Sequence, residues 1–454
     1  MTPERADVVV IGMGPGGETV ANSLAEEGID VVGVERELVG GECPYWGCVP
    51  SKMIIRAANL IAETRRVPGV AGESTVQPDW APVARRIRDE ATDNWDDRAA
   101  VERFEGKGGR FIRGGGRLAG PGRVAVGDRT VEARRAIVIG TGSSAVVPPI
   151  PGLAAVDYWT NRGFIEAATL PASLLVLGGG AIGIELAQAA ARFGTRVTII
   201  EALERLVAIE EPEAGDEIAR VLADEGLELR VGTTAKSVSA SGSGVTVELG
   251  DGDRVTAERL LVATGRRANL AGIGLETVGL DPTARALSID EHCRAGPGIW
   301  ALGDCTGKGA FTHVATYQAR IVAADILGRQ HTPASYHALP RVTFTDPEIG
   351  AVGITEAQAR EQGRNVRTGF ARVSVSARGW IHGPGNLGFI KLVDDQGVLV
   401  GATSAGPVGG EVLSILALAV HARVPTSTLR DMIFAYPTFH RGVEDALMDL
   451  GESG

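Results

Sequence analysis

Two cysteines separated by four residues, Cys43 and Cys48, are the first residues in this 454-residue chain that invite a chemical explanation. The segment reads Gly40-Gly41-Glu42-Cys43-Pro44-Tyr45-Trp46-Gly47-Cys48-Val49-Pro50-Ser51-Lys52. Such a pair serves reversible sulfur–sulfur chemistry, supplies two ligands to a metal, or packs as two inert cysteines. A structural zinc needs four ligands. No second cysteine pair and no clustered histidines supply the rest, so no metal is expected. Pro50 at the opening of a helical pattern predicts a helix starting just after Cys48. A helix N-terminus favours a thiolate and lowers its pKa. Cys293 and Cys305 have no partners in the sequence and are expected to be structural.

Glycine spacing carries the second kind of chemistry. With 62 glycines in 454 residues, a G-x-G-x-x-G pattern is expected about once by chance. It occurs three times, and context sorts the three. Gly383 to Gly388 runs into a strand-like segment and is read as a loop. Gly12-Met13-Gly14-Pro15-Gly16-Gly17 follows an apolar strand, opens a helix and leads to Glu35. Gly178-Gly179-Gly180-Ala181-Ile182-Gly183 does the same and leads to Glu201. The first glycine allows the tight turn, the second lets a pyrophosphate approach the backbone, and the third lets helix and strand pack. The helix N-terminus offsets the phosphate charge, and the carboxylate accepts hydrogen bonds from the adenosine ribose. Glycine turns with no ligand are the alternative. A carboxylate at Glu201 repels a 2′-phosphate, so NADH is expected over NADPH, although Arg205 is near in sequence.

The elements that must hold these residues follow from the apolar pattern. Residues 7–12 read as a buried parallel strand, followed by a helix over Glu18 to Glu27 and a strand from Val31 to Val34. The unit recurs over Leu174 to Glu201. Apolar runs ending in glycine turns close at Thr141-Gly142, at Gly265 and at Gly303-Asp304. Residues 80–105 read as helical, and 106–130 as short β pieces. From about residue 336, strands precede helices (Glu411 to Ala422, Thr426 to Ile433). The expected fold class is α/β: two Rossmann-like dinucleotide-binding domains and an α+β C-terminal domain. At roughly 150 residues per domain, the length agrees.

Composition narrows the function classes. The net charge is −11, and no basic face of the kind a nucleic-acid binder shows is visible. The longest apolar runs fall far short of the ~20 residues of a membrane span. No signal-peptide pattern opens the chain, and four cysteines make no disulfide framework. The expectation is a cytoplasmic protein with no nucleic-acid or membrane partner.

These motifs, in this order, resemble the flavoprotein disulfide reductases: lipoamide dehydrogenase, glutathione reductase, mercuric reductase and their relatives. The resemblance covers essentially the whole chain. It rests on the fingerprint at 12–17, Gly-Gly-x-Cys-x4-Cys-x-Pro-Ser-Lys at 40–52, Thr141-Gly142, the second fingerprint with Glu185, Ala263-Thr264-Gly265-Arg266-Arg267, Gly303-Asp304, and Phe344-Thr345-Asp346-Pro347-Glu348. It implies FAD on a discontinuous domain of residues 1–148 and 265–335, held by Gly12, Gly14, Gly17, Glu35, Gly41, Lys52, Thr141, Gly142 and Asp304. It implies NAD(P)H on residues 149–264, held by Gly178, Gly180, Gly183, Glu201 and Gly265. Residues 336–454 would form the interface of a homodimer in which each subunit completes its partner's active site. By the same resemblance Cys48 faces the flavin, Cys43 meets the substrate, and Lys52 pairs with Glu185 near the flavin.

One segment departs from the family. Its typical members carry a His before Pro-Thr and a Glu five residues after it. Here Tyr436 and Arg441 stand at those places, in Ala435-Tyr436-Pro437-Thr438-Phe439-His440-Arg441-Gly442-Val443-Glu444. A phenol of pKa near 10 is a poor base at pH 7. Losing a general base costs ~10²–10⁴ in rate. The expected acceptor is therefore a quinone, another small electrophile or a specialised disulfide, rather than a common dithiol. Mercuric reductase also has a tyrosine there but ends in a cysteine pair. This chain ends Gly451-Glu452-Ser453-Gly454, so mercuric reduction is not expected. The alternatives are a dihydrolipoamide dehydrogenase using His440 with Glu444 on one helix face, a dithiol enzyme that cleaves a carbon–sulfur bond and carboxylates the product, and a flavin redox sensor. Tyr45 and Trp46 either shape an aromatic acceptor site or simply pack.

Overall fold

The computed structural model describes residues 4–242 and 244–451. Its contacts group into two units. One comprises Met1–Ser51, Arg85–Val146 and Gly265–Ser335; the other comprises Lys52–Ala84, Val147–Thr264 and Tyr336–Gly454.

The first unit is built on a sheet in which Arg129–Ile139, Glu4–Ile11, Val31–Glu35 and Arg110–Arg113 run side by side, with Ile299–Ala301 on the far side of Arg129–Ile139. Val8, Val9 and Val10 are fully buried, as expected of a strand covered on both faces. The register places Ile11 against Ile139 and Val34, and Ala301 against Ile139. Three strands therefore end level. The turns that follow them, at Gly12, Gly140 and Gly303, lie along one sheet edge, where open α/β sheets bind ligands. The helix Pro15–Glu26 packs against Thr312–Ile326. The expected helical stretch over 80–105 is broken: Ala81–Arg86 runs into Ile87–Ala91, and a second helix starts only at Arg98. Asp93, Asn94 and Trp95 all have positive φ, a conformation no helix contains.

The second unit holds a parallel sheet in the order Glu228–Val231, Arg196–Glu201, Ser173–Leu177, Arg259–Val262. Leu177 lies against both Ile200 and Val262, so Gly178, Glu201 and Ala263 again share one edge. The C-terminal residues form a five-stranded antiparallel sheet, ordered Pro340–Thr343, Glu348–Gly353, Val398–Gly406, Phe389–Asp395, Arg367–Arg372. The helices Gly409–His421 and Gly442–Leu450 cover it through Leu413, Leu416, Val443 and Leu447. No helix among the described residues is long and apolar enough to cross a membrane.

Candidate active site

Each fingerprint divides its glycines into the same three tasks. Gly12 has φ +94°, and a Cβ on it would lie 2.3 Å from the Gly140 carbonyl oxygen. A Cβ on Gly17 would lie 1.9 Å from the Gly12 oxygen, whereas one on Gly14 meets nothing within 4 Å. In the second unit Gly178 (φ +110°) would meet the Ala263 oxygen at 2.4 Å and Gly183 the Gly178 oxygen at 2.1 Å, while Gly180 again faces open space. The outer glycines are thus required by protein packing. The middle ones are not, and each caps a helix N-terminus without a side-chain partner. A bare, open helix start of this kind fits a pyrophosphate.

The carboxylates are placed to match. Glu35 accepts hydrogen bonds from the amides of Met13 and Glu37, both at 2.8 Å. Glu201 accepts from Gly179 at 2.5 Å and Leu203 at 2.7 Å. Each carboxylate is thereby fixed beside its glycine turn, with lone pairs left for ribose hydroxyls. Arg205 turns its guanidinium to the carbonyls of Ala208 and Glu210, at 2.8 and 3.2 Å.

The cysteine loop is strapped to the first fingerprint. The Gly40 amide donates to the Met13 carbonyl at 2.7 Å. Gly41 has φ +63° and lies so close that a Cβ would be 2.9 Å from the Gly14 Cα. Cys48 is the first residue of the helix Cys48–Arg66, as the position of Pro50 predicts. Both sulfurs are free thiols and hydrogen-bond each other. The Cys48 sulfur also lies 3.4 Å from the Thr312 hydroxyl. That hydrogen bond to Cys48, and then burial, pushes the Cys43 thiol well above the ordinary thiol range, against a smaller lowering by Thr312. Tyr45 and Trp46 are buried with their rings 5.8 Å apart. Burial, with Asp97 nearby, pushes the Tyr45 phenol up to about 12.

At the same sheet edge the Ser143 hydroxyl donates to Asp304, and Arg266 donates to the Ser143 hydroxyl at 2.8 Å. The turn carrying Asp304 is pinned by Gly303, whose amide donates to the buried Gln318 at 2.7 Å. Gly142 (φ +66°) and Gly265 (φ +117°) face open space, and the Thr141 carbonyl accepts from Asn269 at 3.1 Å. Cys293 and Cys305 are fully buried. Burial raises the Cys305 thiol to about 11, which makes it chemically quiet.

In the second unit Lys52 Nζ lies 2.8 Å from Glu185 and 4.4 Å from the centre of the Phe344 ring. The other Glu185 oxygen accepts the Phe344 amide at 2.7 Å. Sequence reasoning gave no role to Phe344 or to Thr312; their contacts join segments hundreds of residues apart.

The expected helix-face pair of His440 and Glu444 is not formed. The helix begins only at Gly442, so His440 precedes it. Glu444 pairs instead with Arg441 at 2.9 Å, and His440 Nε2 lies 3.4 Å from the Thr438 hydroxyl. Tyr436 is exposed. It shares a shallow hollow with Ser376, Arg378, Thr438, Arg441 and Asp445, its ring 5.3 Å from the Arg441 guanidinium.

Comparison with known proteins agrees with this geometry. Residues 6–319 match the family model described as pyridine nucleotide-disulphide oxidoreductase, and residues 339–447 match the dimerisation domain of the same family. The chain belongs to that family. The mercuric reductase of Streptomyces lividans is 35% identical over 93% of this chain and 91% of its own length. The dihydrolipoyl dehydrogenase of Chlorobaculum tepidum is 32% identical over 98% and 97%. Among solved structures, LpdA from Mycobacterium tuberculosis superposes with a TM-score of 0.86 at 27% identity, over 99% of this chain and all of that one. The copper(II) complex of RclA from Escherichia coli, a flavoprotein disulfide reductase induced by HOCl, gives 0.85 at 27% identity, over 97% and 99%. This chain is therefore an enzyme of a family that uses FAD and NAD(P)H, with a mixed α/β fold and a C-terminal dimerisation domain.

Proposed function

We propose that the chain is a homodimeric NADH-preferring oxidoreductase that passes electrons through the Cys43–Cys48 pair to an acceptor other than a common dithiol. FAD on the first unit and NADH on the second would supply hydride chemistry and two-electron transfer to the sulfur pair. The observation that carries the reading is the contact between the two thiols at a helix N-terminus, on a loop strapped to the first fingerprint.

The chain's own residues have distinct tasks in it. The amides opening Pro15–Glu26 and Ala181–Arg192 bind phosphate, and Glu35 and Glu201 orient ribose. Glu201 would repel a 2′-phosphate, and Arg205 directs its guanidinium to the Ala208 and Glu210 carbonyls, which favours NADH. Asp304, held by Ser143, which Arg266 in turn orients, would fix the position of the flavin chain. Lys52, oriented by Glu185, supplies a cation where negative charge develops. Cys48, at the helix start, would face the flavin, and Cys43 would meet the acceptor. The exposed Ile433, Trp380 and Tyr436 supply apolar surface for self-association.

Tyr436 at the usual base position argues against efficient turnover of lipoamide. The mercuric reductases among the relatives and the copper complex of RclA favour a second reading, a thiophilic metal ion as acceptor, bound by both thiols.

Two measurements test the proposal. Anaerobic addition of one equivalent of NADH should produce a long-wavelength thiolate–flavin absorbance that Cys48→Ser abolishes. Its survival in that variant overturns the assignment of Cys48. A steady-state panel of quinones, lipoamide, Cu(II) and Hg(II), with both nicotinamides, should show quinone turnover exceeding lipoamide turnover. Preferred turnover of a metal ion selects the second reading, and strong lipoamide turnover defeats both.

A further inference from the structure

Among the described residues, one group brings three metal-ligating side chains together: His292, Asp325 and His331, whose ligand atoms all lie within 4.8 Å of one another. None of them belongs to the machinery described above. We propose that they form a binding site for a divalent transition ion of the zinc class.

The spacing is that of a coordination shell. A metal 2.0–2.1 Å from its nitrogen ligands in tetrahedral geometry separates those ligands by about 3.3–3.4 Å. His292 Nδ1 and His331 Nε2 lie 3.4 Å apart, and His331 Nε2 lies 3.6 Å from Asp325 Oδ1. The last distance is too long for a hydrogen bond but suits two ligands on one ion. Water would take the fourth position.

The outer contacts prepare the ligand atoms. His331 Nδ1 lies 3.1 Å from the Thr332 carbonyl. That contact calls for a proton on Nδ1 and turns the Nε2 lone pair toward His292 Nδ1, where an ion would replace the shared proton, the arrangement in which a second partner fixes the metal-binding tautomer. Asp325 Oδ2 accepts from Arg294 Nε at 2.7 Å and from Trp300 Nε1 at 2.8 Å. Oδ1 accepts Arg294 Nη2 at 2.6 Å and faces His331 Nε2 at 3.6 Å, which leaves a lone pair directed at the ion position. The Arg294 charge beside Asp325 opposes a dication and weakens its binding.

The backbone is shaped around His292. Cys293, a non-glycine residue, sits at φ +62°, a conformation that persists only where the surroundings impose it. Asp290 imposes it by accepting the amides of His292 and Arg294 at 2.9 and 2.8 Å. The segment carrying His331 is tied to the same turn by the Ala334 amide on the Glu291 carbonyl, at 2.7 Å. An ion here would clamp the end of the helix Thr312–Ile326 to that turn. It would stabilise the first unit and leave the redox chemistry untouched.

The test uses holoenzyme with Cys43 and Cys48 alkylated, so that the dithiol takes up no metal. Calorimetric titration with Zn(II) should give one site per chain. Co(II) should give the visible bands of a tetrahedral nitrogen–oxygen site without thiolate charge transfer. His292→Ala and His331→Ala should each weaken binding by more than about tenfold. The unalkylated variants should keep their flavin content and NADH oxidation rate. His292→Gln and His331→Gln replace any alanine variant that loses flavin. No Zn(II) uptake by the alkylated chain, or uptake unchanged in both histidine variants, overturns the proposal.

Discussion

Gly180→Ala isolates the role of backbone approach in nicotinamide binding. Gly180 has φ −78° and ψ 177°, a conformation any residue adopts, and its added methyl would meet nothing within 4 Å. The substitution therefore leaves the fold unstrained, and thermal stability should match the wild type. The methyl instead enters the space in front of the first amides of Ala181–Arg192, where a pyrophosphate would sit. Losing one charge-assisted hydrogen bond there costs about 1.5–3 kcal/mol. At 1.4 kcal/mol per tenfold, KM for NADH should rise about 10- to 150-fold with flavin content unchanged. The assay is steady-state NADH oxidation with a quinone, with flavin absorbance per chain as the control. Gly14→Ala should do the reverse, lowering flavin content, because Gly14 (φ −66°) is equally open. Gly183→Ala, whose Cβ would lie 2.1 Å from the Gly178 carbonyl oxygen, should destabilise the chain outright. A KM for Gly180→Ala within twofold of the wild type would refute the division of labour among the glycines.

Three further outcomes are expected. Glu201→Gln keeps a hydrogen-bond acceptor but removes the charge, so the ratio of kcat/KM for NADPH to that for NADH should rise by about tenfold or more; an unchanged ratio assigns the preference elsewhere. Tyr436→Phe should leave quinone reduction within about twofold, since a phenol is a poor base at neutral pH, and a large drop would make Tyr436 a participant in proton transfer. Burial raises the folded Cys305 thiol from the ordinary 9.0 to about 11, so its contribution to stability is complete below pH 9. It is lost as pH climbs toward 11, at up to about 1.4 kcal/mol per pH unit; denaturant melts across that range should show a shallower decline for Cys305→Ala.

How much was legible beforehand depended on whether a residue's role is local. The two strand–turn–helix units, the three tasks of each glycine triplet, and Cys48 at a helix start could all be read from short segments. Apolar periodicity and φ requirements are properties of neighbouring residues, and these carried the fold class with them. His440 and Glu444 do not pair, because a shared helix face needs both residues inside the helix and His440 lies before it. The helix starts at Gly442, and Arg441 captures the carboxylate. Arg205, close to Glu201 in sequence, turned out to serve backbone carbonyls.

The sequence alone determined the two strand–turn–helix units, the helix start at Cys48 and the family: the first two are written in short local segments, and the family in the order of its motifs along the chain. Only the tertiary structure decided which distant groups meet. Level strand ends bring Thr312 to Cys48 and Ser143 to Asp304, and sheet order brings Phe344 to Lys52. A strained turn and a helix end bring His292, Asp325 and His331 within ligand distance of one another, although 39 residues separate the two histidines. Such encounters depend on register and packing summed over the whole chain, which no local pattern encodes.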